Sequence, residues 1–130
     1  MYQNLRILPA VIMIPLFVSA CQTSSGTKTA DTDYTRIDSI AVFNETVVGK
    51  KLEYKTDHVV TISPNGTWRG DWGGDVIHGG WKWVDGAFCR TINTGKSEDC
   101  QQFELSNNRD SLRVIRNRGS GMRFNYRILN

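Results

Sequence analysis

The stretch Gly79–Gln101, GGWKWVDGAFCRTINTGKSEDCQ, decides the fold class. Trp81 and Trp83 alternate with Lys82, the two-residue period of a half-buried strand. Asp85-Gly86 then reads as a tight hairpin turn, because glycine tolerates the positive φ that such turns need. Ala87–Asn93 is the returning strand and Asp99–Leu105 the next one. Cys89 and Cys100 fall on those two strands and are placed to be stapled. By strand parity Arg90 shares the apolar face with Phe88 and Ile92, while Cys89 and Cys100 share the opposite one. A bridge between them therefore lies on the outer face, flanking the loop Thr94–Glu98.

The same alternation runs outward in both directions. Lys51–Lys55 puts Leu52 and Tyr54 on one face, and His58–Ser63 is β-branched and apolar. Pro64-Asn65-Gly66 is a turn signal, followed by strands over Thr67–Trp72, Asp75–His78 and Gly80–Val84. Downstream, Ser111–Arg116 and Met122–Leu129 complete the series. The last run alternates most clearly, with Met122, Phe124, Tyr126 and Ile128 on one face and Arg123, Asn125 and Arg127 on the other. Asp38–Gly49 is the one helix, capped by Asp38, with Ile40, Phe43 and Val47 as its apolar stripe and Gly49 as its stop. Seven to eight short strands at roughly ten-residue spacing predict an all-β fold, a small antiparallel barrel, lipocalin-like or sandwich-like, with one short N-terminal helix. Glycine stands two residues before tryptophan at Gly66-Trp68, Gly70-Trp72 and Gly79-Trp81, which gives room for a large ring or allows a barrel wall to bend. This pattern is similar to that of lipocalins, although theirs lies on the first strand, and it argues for barrel geometry alone.

The N-terminus speaks to compartment. Ile7–Ala20 is apolar, follows Arg6 and is too short to span a bilayer, which is the layout of an export signal. Val18-Ser19-Ala20-Cys21 resembles the bacterial lipobox, whose cysteine is acylated after export while the signal is cut off before it. The resemblance implies a lipid anchor on Cys21, and Gln22 rather than Asp after it implies the outer membrane, periplasmic face. The alternative is an ordinary secretory signal with a cysteine nearby. Residues 1–20 are then a signal peptide, 21–35 the lipidated cysteine and a polar, flexible tether, and 36–130 a single barrel domain. With Cys21 lipidated, Cys89 and Cys100 remain as a pair in an oxidising compartment, where small domains add staples. A metal pair and a reactive thiol are the rival readings, and the chain offers only His58 and His78 as histidine ligands.

The string GxWxWxDGxFCR ending at Arg90, followed by Asp99-Cys100-Gln101, resembles a family of small exported proteins of alphaproteobacteria over about Ile40–Leu129. The resemblance implies fold and compartment and carries no established activity. Some of that family bear a dihydrodipicolinate reductase label, which this sequence does not support. It has no Gly-x-Gly-x-x-Gly after a strand and no βαβ alternation to hold a dinucleotide.

Net charge is +3, and the surplus sits at the C-terminal end, where Arg109, Arg113, Arg116, Arg118, Arg123 and Arg127 face Asp110 alone in the segment. Arginine matches phosphate and carboxylate with a planar fork. No nucleophile stands beside a base, and Gly119-Ser120-Gly121 reads as a turn. Asp71, Asp75 and His78 lie close in sequence but read as a solvated loop. The chain is expected to be a non-enzymatic binding or envelope-structural lipoprotein, without cofactor or metal. Its contacts would be the membrane, through the lipid on Cys21, and an anionic envelope component or a periplasmic protein. Nucleic acid is excluded by location. The candidate ligand or anion contacts are Arg90, Trp81, Trp83, Arg123 and Arg127. The alternatives are an inhibitor or partner-protein binder and a small enzyme.

Overall fold

The computed structural model describes residues 33–93 and 97–130. The export signal, Cys21 and residues 94–96 of the loop flanked by the two cysteines lie outside the described residues. The chain runs β1 (Tyr34–Ile37), α1 (Ile40–Thr46), β2 (Lys51–Lys55), β3 (His58–Ile62), β4 (Thr67–Trp72), β5 (Asp75–Val84), β6 (Ala87–Thr91), β7 (Glu98–Ser106), β8 (Ser111–Ile115), the helical turn α2 (Arg116–Gly119) and β9 (Arg123–Leu129). Strands β2 to β9 form an up-and-down antiparallel meander, and β9 closes back onto β2. The result is an eight-stranded barrel with one extra strand, since β1 pairs with the second half of β7 beside the end of β6. Closure matters physically because it removes the unpaired edges that a sheet of such short strands would otherwise present.

The helix begins one residue later than the sequence suggests. Ser39, not Asp38, is its cap, accepting from the Ala41 backbone N–H with its hydroxyl. Phe43 and Val47 are fully buried, whereas Ile40 is exposed, so the inward face runs through Phe43, Thr46 and Val47. A helix this short has little stability of its own and is held by what it packs on. It lies across one end of the barrel, where Phe43 meets Trp83, Phe103, Phe88 and Trp81 at ring-centroid distances of 4.8, 5.2, 5.6 and 5.6 Å. Leu52, Ile62, Trp68, Leu105 and Leu112 complete this core.

Asp75–His78 and Gly80–Val84 are one continuous strand. The Gly79-Gly80 pair marks where β5 passes from β4, which it pairs with over residues 75–80, to β6, which it pairs with over 81–84. Met122 is exposed and sits just before β9 rather than in its inward row.

Cys89 and Cys100 stand directly opposite each other on β6 and β7 and are disulfide-bonded. Parity places the bridge on the outer face, yet Cys89 is buried. The α2 turn folds against β7, and the Arg118 guanidinium lies 3.5 Å from the Cys100 sulfur and 3.9 Å from that of Cys89. Replacing both cysteines by serine is expected to lower stability by up to ~3 kcal/mol, the chain-entropy value for so short a loop. Urea unfolding would read it, and an unchanged midpoint would show that the sheet alone holds this hairpin together.

Candidate functional site

The barrel is filled from one end only. Inward residues near α1 interdigitate across the bore. At the opposite end the inward positions are Tyr54 on β2, His58 on β3, Trp72 on β4, Ile77 on β5, Arg90 on β6, Gln101 on β7, Val114 on β8 and Tyr126 on β9. Here the rings pack sideways onto neighbouring strands. Tyr54 lies 5.7 Å from both Phe124 and Tyr126, and His58 lies 5.2 Å from Trp72. Rings that satisfy one another along the wall leave the centre open. A cavity of about 340 Å³ results, reaching to Ile92 and Arg116 at the rim. That volume is within the range of small-molecule sites, toward its lower end.

Arg90 is the polar centre of this cavity. It faces inward, as its parity with Phe88 requires, and its guanidinium carbon sits 4.4 Å from the centroid of the Trp68 ring. That contact covers one face of the cation but satisfies no N–H group. Arg90 Nε is buried and has no hydrogen-bond partner among the described residues. The carboxylate opposite it on β7, Asp99, is already engaged: its Oδ2 accepts from Gln101 Nε2 at 2.7 Å and from Arg116 Nε at 2.9 Å. Burial pushes the Arg90 guanidinium below its ordinary range, opposed by the nearby Tyr126 and Asp99. Burial also raises the Tyr126 phenol, while the Arg90 charge pulls the other way. Two guanidinium groups thus line the cavity, and among the described residues no carboxylate does.

Trp81 and Trp83 lie in the filled half, against Phe43, and Trp81 Nε1 donates to the Ser63 carbonyl at 2.8 Å. Trp72 is the tryptophan that lines the cavity. Arg123 and Arg127 are exposed on the outer face, and Arg127 is paired with Glu53. Arg109, Arg113 and Arg116 of the basic C-terminal segment meet acids from elsewhere in the chain, through Arg109–Glu45, Arg113–Glu104 and Arg116–Asp99, while Arg118 lies against the disulfide. Of the five residues singled out in the sequence, the structure brings only Arg90 to the cavity.

Tyr54, Gln101 and Tyr126 carry no candidate role in the sequence, whereas Trp72 and Arg116 belong to its Gly-x-Trp pattern and its basic C-terminal segment. Alternation marks Tyr54 and Tyr126 as inward, but the period cannot say which half of the bore the helix fills. His58, at the start of β3, is half-buried beside Trp72. Asp71 pairs with Arg69 on the exposed face. Among the described residues the group with metal-ligand spacing is Cys89, Glu98 and Cys100, and its two sulfurs are bonded to each other. Compared with models of protein families, with curated proteins and with solved structures, the chain matches none.

Proposed function

We propose that the chain is a non-enzymatic binding module of the bacterial envelope, anchored by lipid on Cys21, which takes one small molecule into the open half of its barrel. The observation that carries the binding role is the half-filled bore, closed at one end by Phe43 and open over Arg90 at the other. An eight-stranded barrel is wide enough either to be filled by side chains or to hold one small ligand. This barrel does the first near α1 and leaves room for the second beyond it. The anchor is supported by the lipobox resemblance at Val18–Cys21.

Mass spectrometry of the protein released from the envelope tests both halves. The denatured chain should begin at Cys21 and carry the extra mass of acyl chains. Sprayed under native conditions, it should carry in addition a small molecule distinct from the detergent. Val114→Phe, which puts a ring into the cavity wall, should lose that second mass. A chain that binds nothing, together with a wild type and a variant that behave alike, would overturn the binding role. A chain without acyl mass would overturn the anchor.

A further inference from the structure

We propose that the molecule taken into the open half of the barrel is a small monoanion with an apolar body, its carboxylate held by Arg90 and its body lying between the rings of Tyr54, Trp72 and Tyr126. This rests on the binding role just proposed and specifies its chemistry.

The first argument is the state of Arg90. A buried guanidinium is costly unless its charge and its N–H groups are met. Trp68 meets the charge in part through its ring face. Among the described residues nothing meets Nε, and the carboxylate across the strand pair, Asp99, is held by Arg116 and Gln101. A carboxylate entering the cavity would supply what the protein withholds, since the guanidinium fork takes two oxygens side by side.

The second argument is charge balance. Arg116 and Asp99 neutralise each other at the rim through a 2.9 Å contact. That leaves the single charge of Arg90 inside, which calls for an anion of one charge rather than a dianion. The third is size and surface. About 340 Å³ admits one small molecule, and the aromatic wall offers ring faces and edges to an apolar body. Headgroup-only anions would leave that wall uncovered.

Titration of the full exported chain by tryptophan fluorescence tests this, with Trp72 in the wall and Trp68 beneath Arg90 as reporters. The probes are decanoate and naphthoate, each against its uncharged carboxamide, with inorganic phosphate as the bare anion. At least one carboxylate is expected to bind ~100-fold more tightly than its amide, the scale of a buried charge pair. Phosphate should bind far more weakly. Arg90→Met should abolish the preference for the acid over the amide, and Arg90→Lys should keep a reduced preference. Thermal melting of Arg90→Met should not fall, since the substitution removes a buried charge that has no ion-pair partner among the described residues. If acid and amide bind equally to the wild type, the anion assignment is wrong while the cavity remains a binding site. If Arg90→Met retains the preference, the head is not on Arg90. If neither acids nor amides bind, the binding role itself falls. The acid–amide comparison in the wild type and Arg90→Lys decide the matter even if Arg90→Met does not fold.

Discussion

Phe43→Ala should lower the unfolding free energy by about 3–5 kcal/mol, the range for removing a buried aromatic ring. Against a total of roughly 5–15 kcal/mol for a domain of this kind, that is the difference between a folded and a marginal protein. The reason lies in position rather than area alone. Phe43 is fully buried and touches four other rings, Trp81, Trp83, Phe88 and Phe103, which come from three different strands. The helix that carries it has seven residues and no acidic residue in its first turn, so little besides packing holds it. Truncating the ring removes the stopper from one end of the barrel and leaves a void that its stiff neighbours cannot close. Ile40→Ala, on the same helix, should change stability by no more than about 0.5 kcal/mol, because Ile40 is 41% exposed. Urea unfolding of the two variants, read at constant slope, separates these cases. Equal losses would mean that the helix is held through its whole surface, and a Phe43→Ala loss under about 1 kcal/mol would mean that it does not plug the barrel.

The pair of outcomes also shows what a sequence can and cannot say about this fold. The stripe Ile40, Phe43, Val47 is correct as a period, but period alone does not centre the stripe on the surface it meets. Here the barrel mouth selects Phe43 and Val47 and leaves Ile40 outside. Strand parity was legible nearly throughout. It put Arg90 inside and Cys89 and Cys100 outside, and their pairing across β6 and β7 followed. Long-range relations were not legible. β1 is four residues that alternate too briefly to be seen, and it exists because β7 has a second edge to offer beyond β6. It begins at Tyr34, within the segment read as tether. Trp81 and Trp83 are inward as their period requires, but the helix decides that they belong to the filled half. Arg118 shields the disulfide because residues 117 and 118 turn back through positive φ, which no hydrophobic pattern encodes. The cavity is legible only in hindsight, because an unfilled space depends on which rings lean along the wall.

Gly79→Ala and Gly80→Ala should have opposite outcomes although the two residues are adjacent. A methyl group on Gly79 would lie 1.9 Å from the Thr91 carbonyl oxygen and 3.0 Å from Trp68 Nε1. That oxygen accepts the Trp68 indole N–H at 2.9 Å, so it cannot move away without orphaning a buried donor. The colliding atom is backbone, at the end of the strand that carries Arg90. Overpacking costs roughly 1–3 kcal/mol and sometimes more, and losing the indole bond adds roughly 1–3 kcal/mol, so Gly79→Ala should cost about 4 kcal/mol. On Gly80 the same methyl group meets nothing closer than 3.7 Å, and Gly80 does not have positive φ. Gly80→Ala should be neutral, or stabilise by up to about 1 kcal/mol through a less flexible unfolded chain. Gly79 therefore serves close approach, where β5 leaves β4 for β6 and the end of β6 folds in beside it. Thermal melting should place the two variants on opposite sides of the wild type or nearly so. If Gly79→Ala melts with Gly80→Ala, the Thr91 carbonyl does not press on β5, and the path of β6 into the cavity is set by something other than that contact. If it melts early but the folded fraction still binds the carboxylate probes with wild-type affinity, the contact supports stability without positioning Arg90. The expected result is loss of both, because Arg90 is one residue from the displaced carbonyl and shares its strand.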